Sequence, residues 1–388
     1  MFSDYICKAA ANSEQLFVKA LAQECKLLYN PIKNQEISVE AASMTVDESK
    51  KKMTIYDVAE KANVSIATVS RAFSGKGYVS EATREKIMRA CDGYRPNAFA
   101  SQMQTKKSKT IGILLSHGAD YFFFNSVYNE AMVGVCEVTK DKGYHLLIDM
   151  DMDSEDPCSL FLEGRVDGYL LMGVQTDSKL VGRMQEYGIP FVIIGNYNGE
   201  CSGVAHVDIN DRKAVFEAVT YLTGLGHTEV GIITGNPQFP SCADRLQGYK
   251  DAMQAEGLEV SPDNIEVCEN IDETKALNLT KKLLLKRRPI TALMAFNDQV
   301  AVAAYNAAQE LGVKIPEELS VIGFDDGPVA KYVSPKLTTI WQPSYEKGML
   351  AAKMLLESLE KSTLPHDEVV LECMMVYRDS CTKPAKHA

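Results

Sequence analysis

The sequence predicts an all-α N-terminal headpiece carrying a helix-turn-helix, followed by an α/β domain of two lobes built on parallel sheets. Two short helical patterns joined by a tight turn lie within residues 54–73, and beyond residue 109 short apolar runs alternate with amphipathic helical stretches. Positive charge is gathered between residues 53 and 109 of an otherwise acidic chain. In the headpiece, Ile55, Val58, Ala59 and Ala62 recur at i, i+3, i+4 and i+7, which is one apolar stripe of a helix. Asn63 takes the turn, where a residue tolerant of left-handed backbone is needed. Ser65 is placed to cap a second helix, in which Ala67, Val69, Ala72 and Phe73 are small or apolar while Ser70 and Arg71 remain free. A second helix half docked and half presented is the form of a DNA-reading unit.

After the headpiece, residues 111–115, 144–149, 168–173, 191–195, 229–234, 292–296 and 319–324 are short and apolar, as buried parallel strands are. Helical patterns lie between them at 211–225, 245–256, 273–284 and 300–311, with further amphipathic stretches at 131–140 and 344–361. This alternation predicts parallel α/β sheet, and so many strands predict two sheets rather than one.

At 388 residues the chain is long enough for two or three domains. The formal charge of −11 argues against nucleic acid only until it is resolved along the chain, because residues 53–109 carry ten Lys or Arg against five Asp or Glu. A small basic module joined to a large acidic one suits a protein that meets phosphates at one end. The ten cysteines include no Cys-x-x-Cys pair, so reduced thiols and no metal site are expected. No apolar run is long enough to span a membrane, and Asp4, Glu14 and Glu24 interrupt the start of the chain, so a cytoplasmic protein is expected.

The helix-turn-helix segment closely resembles the headpiece of the lactose-repressor (LacI/GalR) family of bacterial transcriptional regulators, and the resemblance continues in order along the chain. Val79-Ser-Glu-Ala-Thr-Arg84 is similar to the start of that family's third helix, and Gly93-Tyr-Arg-Pro-Asn-Ala98 to the entry of its hinge helix. Lys109-Thr-Ile-Gly-Ile113, Arg165-Val-Asp-Gly168, Asp244-Arg-Leu-Gln-Gly248, Asn297-Asp298, Val321-Ile-Gly-Phe-Asp-Asp326, Leu337-Thr-Thr339 and Tyr377-Arg-Asp-Ser380 follow in the family's order. The resemblance implies a headpiece at 53–96, a hinge helix and linker at 97–108, and at 109–388 a two-lobed domain like the periplasmic binding proteins, responsible for ligand binding and dimerisation. It implies three crossovers near Val207, Gln342 and Thr363, with one lobe at about 109–207 and 343–363 and the other at about 208–341 and 364–380. Residues 1–52 match nothing in the series. Phe17, Ala20, Leu21, Cys25 and Leu28 share helical spacing, so this leader is either an accessory helix or a stretch upstream of a natural start at Met53. The chain is shorter than the family's pattern between Ala90 and Gly93 and again after Pro157.

Site residues carry over position by position. Thr54, Tyr56, Ser65, Thr68 and Asn97 are expected to hold the DNA backbone. Ile66 and Ala67 offer only apolar contact to base edges, Ser70 accompanies them, and Arg71 either grips guanine with two hydrogen bonds or clamps a phosphate. In the hinge, Met103 stands where the family inserts an apolar wedge into the minor groove, and Ala100 permits close approach. The resemblance puts an effector between the lobes, where Arg245 offers a fork of donors to sugar hydroxyls, Asp325 accepts, Asn297 does both, and Phe122 or Phe123 lies against a sugar face. Asn196, Ser241 and Gln342 complete that set, whereas Asp298 and Asp326 suit turns and caps.

No catalytic constellation, phosphate loop or cofactor motif is present in the sequence, so neither enzyme activity nor a cofactor is expected. The expectation is a homodimeric repressor of sugar-utilisation genes that binds a palindromic operator on double-stranded DNA and answers to a sugar or sugar derivative. The alternative, a sugar-binding transport receptor, would keep the cleft but lack residues 53–109 and carry an export signal.

Overall fold

The computed structural model describes residues 53–74, 77–91, 107–115, 122–123, 125–149, 158–176, 178–269 and 272–385. The chain forms two compact units, residues 1–98 and 99–388. The leader and the hinge residues Asn97, Ala100 and Met103 lie outside the described residues.

Among its described residues the first unit holds three helices: α1 (Ile55–Ala62), α2 (Ile66–Ser74) and α3 (Glu81–Ala90). Local chemistry sets each boundary. Thr54 caps α1 in a capping box, its hydroxyl accepting from the Asp57 amide while the Asp57 carboxylate accepts from the Thr54 amide at 2.7 Å. Asn63 closes α1 in the left-handed region at φ 50°, as the turn requires. The Thr68 amide donates to Ser65 Oγ at 3.1 Å to start α2, and the Thr83 amide to Ser80 Oγ at 3.3 Å to start α3. Val58, Ala59, Ala62, Val69, Ala72 and Ile87 close into one small core. Arg84 Nη1 donates to the Ala72 carbonyl at 3.0 Å, which satisfies a carbonyl at the end of α2 and ties it to α3.

The second unit holds two parallel sheets. The first contains β1 (Thr110–Leu115), β2 (His145–Asp149), β3 (Gly168–Met172), β4 (Phe191–Ile194), β5 (His206–Ile209) and β11 (Glu368–Leu371), in the order β11-β5-β4-β3-β1-β2. Helices α4 (Ser126–Asp141) and α11 (Ser344–Lys361) cover one face of it, and α5 (Ser159–Leu162) and α6 (Lys179–Glu186) the other. The second sheet contains β6 (Val230–Thr234), β7 (Ile265–Val267), β8 (Ala292–Ala295) and β9 (Ser320–Ile322), in the order β7-β6-β8-β9. It lies between α7 (Asp211–Gly224) with α8 (Pro240–Ala255) and α9 (Glu273–Leu285) with α10 (Asp298–Leu311). A short antiparallel ribbon, β10 (Thr339–Trp341) with β12 (Met374–Val376), packs against the second lobe.

Two boundaries differ from the sequence expectation. The third passage between lobes lies between Leu371 and Met374 rather than near Thr363, because β11 pairs in parallel with β5, Val369 opposite Val207. That strand alternates exposed and half-buried residues along a sheet edge, so it lacks the continuous apolar run of a central strand. Helix α8 starts at Pro240, five residues before the predicted 245, because proline suits the first helical position where its missing amide is not needed.

Candidate functional site

On the headpiece, Thr54, Tyr56, Ser65, Ile66, Ala67 and Arg71 are exposed, and Thr68 and Ser70 are half-buried. Tyr56 is 68% exposed and Ile66 40%, unusual for such side chains in a unit with so little core to spare. Ala67, expected with Ile66 against base edges, is exposed, while Val69 and Ala72 of α2 are buried in the core. The outcome is a presented start of α2 carrying Ser65, Ile66 and Ala67, the end with which a recognition helix reads base edges, while Arg71 is exposed in the helix's last turn.

In the second unit, the carboxyl ends of the strands of both lobes converge on a cleft, where open α/β sheets bind ligands. Asn196 follows β4, Asp211 follows β5, Asn297 follows β8 and Asp325 follows β9 by a short step. An inner chamber of about 110 Å³ brings together Asn196, Ser241, Arg245, Asn297, Asp325 and Gln342, six of the eight residues expected at the effector site. An outer chamber of about 600 Å³ shares Asn125, Asn297 and Asp325 as its wall.

The two phenylalanines depart from expectation. Phe122 is 3% exposed and belongs to the first lobe's core; Phe123 meets it edge to face at 5.0 Å and is 56% exposed. Neither lines the inner chamber, and Tyr128, tilted against Phe122 at 6.0 Å, stands on its wall instead. An apolar ring gains more from a dry core than from a polar cleft, so the first of the pair is drawn inward.

Arg245 is held more tightly than a free fork of donors. Its Nε donates to Asp211 Oδ1 at 2.6 Å and its Nη1 to the Phe296 carbonyl at 2.6 Å. The guanidinium carbon lies 3.5 Å from the centre of the Phe324 ring and 4.6 Å from that of Phe296. Among the described residues these two bonds use two of the five N–H donors, so one N–H on Nη1 and both on Nη2 are left for a ligand. Gln342 Nε2 donates to Asp325 Oδ1 at 2.6 Å, and Asn297 Oδ1 accepts from the Val300 amide at 2.9 Å, which leaves the Asn297 amide nitrogen as a donor. Asn196 Nδ2 donates to Asp244 Oδ2 at 2.9 Å, joining the two lobes at the cleft rim. Asp298 is structural: its oxygens accept from the Gly327 amide at 2.7 Å and from Thr339 Oγ1 at 2.6 Å. Asp326 pairs with Arg378, which also donates to the Leu337 carbonyl at 2.8 Å.

Sequence reasoning missed Asn125, Tyr128, Asp208, Asp211 and Lys347, all of which line the inner chamber. Lys347 carried a legible signal. It is a charge on the stripe of α11 that otherwise holds Ser344, Gly348, Ala351 and Leu355, all buried. Lys347 Nζ pairs with Asp208 Oδ1 at 3.0 Å, deep in the first lobe.

Asp325 sits at φ 112°, a conformation that a residue other than glycine adopts only under strain, of order 1–3 kcal/mol. Burial raises its proton affinity against the opposing pull of Arg245, so the carboxyl titrates at about 7; burial likewise lifts Asp211 to about 6. Because the folded value lies above the unfolded one, the stability this group confers is full below about pH 4 and is lost as pH rises through 7. Asp325→Asn is therefore expected to be more stable than the natural chain at pH 8 by about 1–3 kcal/mol, since each tenfold change in proton affinity is worth about 1.4 kcal/mol and the Gln342 bond and the pull of Arg245, which favour the charged form, are partly lost with it. Urea unfolding at pH 8 and pH 4 checks this: the gap should close at pH 4, and an equal gap at both values contradicts it.

Comparison with known proteins agrees with both units. Residues 54–97 match the model for bacterial regulatory proteins of the lacI family, and residues 219–381 that for a periplasmic binding protein-like domain. The ribose operon repressor of Haemophilus influenzae is 33% identical over 337 residues, covering 84% of this chain and 98% of its own. Among solved structures, the transcriptional regulator CelR in complex with cellobiose is 27% identical with a TM-score of 0.67, over 84% of this chain and 99% of its own. The lac repressor dimer bound to operator and an anti-inducer, 23% identical with a TM-score of 0.76 over 86% and 100%, shares the fold. With a helix-turn-helix that presents its second helix, a two-lobed domain behind it and relatives alike along nearly their whole length, this chain belongs to the lacI family of bacterial regulatory proteins and is a DNA-binding regulator of transcription.

Proposed function

We propose that this regulator represses genes of sugar use by binding a two-fold symmetric operator as a homodimer, and that a small neutral sugar bound in the interlobe cleft changes that affinity. The observation that carries the reading is the cleft, where donors and acceptors of both signs (Arg245, Asn297, Asp325, Gln342) line an inner chamber of about 110 Å³ that shares Asn125, Asn297 and Asp325 with an outer one of about 600 Å³, a space on the scale of small-molecule sites. Of the named relatives, one is a ribose operon repressor and one was solved in complex with cellobiose. Residues 53–96 act as the headpiece, 97–108 as the hinge, in which Asn97 holds the DNA backbone and Met103, with Ala100 permitting close approach, serves the minor groove, and 109–388 as the effector and dimer domain. The protein works in the cytoplasm by binding alone, without a cofactor.

Arg71 is assigned as the base reader and Thr54, Tyr56, Ser65 and Thr68 as backbone contacts. Selection from random duplex DNA followed by footprinting should recover a symmetric site whose affinity falls steeply with salt as counterions are released. Arg71→Ala should weaken the selected site by about 1–3 kcal/mol and relax preference at one base position in each half. An asymmetric site, or a loss equal on all sequences, would count against this assignment.

A further inference from the structure

Asp208 and Lys347 are both deeply buried, at 3% and 7% exposure, and both line the inner chamber. Asp208 comes from β5 and Lys347 from the first turn of α11, so the pair belongs wholly to the first lobe. One carboxylate oxygen accepts from Lys347 Nζ at 3.0 Å; the other, Oδ2, is fully buried and has no hydrogen-bond partner among the described residues. The ammonium has three N–H donors, of which this bond uses one. A buried ion pair with an unmet oxygen is a poor way to stabilise a fold, because desolvation consumes most of the Coulombic gain and the unmet group adds a further penalty. Such a pair suits a site in which something else completes it.

Resting on the proposal of a sugar in this cleft, we propose that Asp208 and Lys347 form the first-lobe half of the effector site and together read one hydroxyl group, which donates to Asp208 Oδ2 and accepts from Lys347 Nζ. A hydroxyl is both donor and acceptor, so it meets both needs with a single oxygen. A carboxylate or phosphate fails at the first of them, because it would bring negative charge against Asp208, Asp211 and Asp325 in a chamber whose two cations, Arg245 and Lys347, are already paired. The site therefore selects a neutral polyol over its acid or phosphate derivatives. Arg245, Asn297 and Asp325 hold the same ligand from the second lobe. A ligand gripped by both lobes has the differential affinity for lobe arrangement that regulation requires.

The test uses the full chain and calorimetry with D-ribose, cellobiose and other neutral pentoses, hexoses and disaccharides, together with D-gluconate and D-ribose 5-phosphate. Asp208→Asn and the double variant Asp208→Asn/Lys347→Met are compared with the natural chain, the double variant guarding against unfolding from one uncompensated charge; thermal melting confirms each is folded. The neutral sugar that binds should do so about 10- to 100-fold more weakly in either variant. Among its monodeoxy analogues, one should lose that same factor against the natural chain and less than about threefold against the double variant, the mark of a direct contact that a merely structural pair would not give. Unchanged affinity in the folded double variant, or tighter binding of gluconate or ribose phosphate, overturns the inference and leaves the cleft a binding site. If no neutral sugar binds the natural chain, the sugar reading itself falls and this inference with it.

Discussion

Gly348→Ala is expected to destabilise the second unit by at least 3 kcal/mol, although it adds a single methyl group. A Cβ at Gly348 would lie 2.6 Å from the Ala131 carbonyl carbon and closer still to its oxygen. One at Gly134 would collide with the Tyr345 carbonyl in the same way, 2.8 Å from the Met349 amide nitrogen. Helices α4 and α11 thus cross backbone against backbone, and no side chain there can yield. Relief requires the helices to separate, which opens the core of Ala131, Val135, Ala351, Ala352 and Leu355. Overpacking of that kind costs about 1–3 kcal/mol where side chains yield and more where they do not, against a total stability of about 5–15 kcal/mol for a domain. Gly182→Ala is the control. It lies inside α6 with its nearest neighbour, Cys201 Sγ, at 3.6 Å, so alanine should be neutral or stabilise by up to about 1 kcal/mol. Chemical denaturation of both variants decides the matter, and a Gly348→Ala chain within 1 kcal/mol of the natural one would refute the close crossing.

Arg245→Met is expected to cost about 3–5 kcal/mol of stability as well as ligand binding, because it strips Asp211 of its partner. Asp211 is 3% exposed and Arg245 6%, so neither charge reaches water when the other is gone. Loss of the guanidinium should raise the proton affinity of Asp211 beyond its present value of about 6, making the variant weakest at pH 8 and partly recovered at pH 5, where the carboxyl takes up a proton. Adding Asp211→Asn should restore most of the stability at every pH while leaving the sugar response absent. A double variant that regains both, or a single variant that loses neither, would show that Arg245 is not shared between fold and site. Unfolding curves at the two pH values, with calorimetry on the double variant, separate the roles.

Much of this was legible in the sequence because the relevant physics is local. Asn63 had to tolerate a left-handed turn, and does; Ser65 caps the start of α2 as its position implied. The central strands are continuous apolar runs, and Arg245, Asn297, Asp325 and Gln342, picked out by position, line one chamber. What was not legible depends on pairing across the chain. Asp211 lies 34 residues from Arg245, and Asp208 lies 139 from Lys347, so neither partnership leaves a spacing to read. Which of two adjacent phenylalanines is buried is set by the helix packed against them, with Tyr128 supplying the neighbour of Phe122. The three-residue strands β10 and β12 are shorter than any periodic signal, and β11 is a half-exposed edge.

Regulation as proposed requires that ligand in the cleft and DNA at the headpiece be linked, and linkage is a free energy that can be measured from either side. Operator affinity of the full chain, titrated on its selected symmetric duplex at one fixed salt with and without a saturating neutral sugar that binds it, tests this most directly. A shift of about 5- to 150-fold is expected, matched by an equal shift in sugar affinity when operator is present. Sugar and operator that each bind tightly but leave one another's affinity unchanged would contradict it.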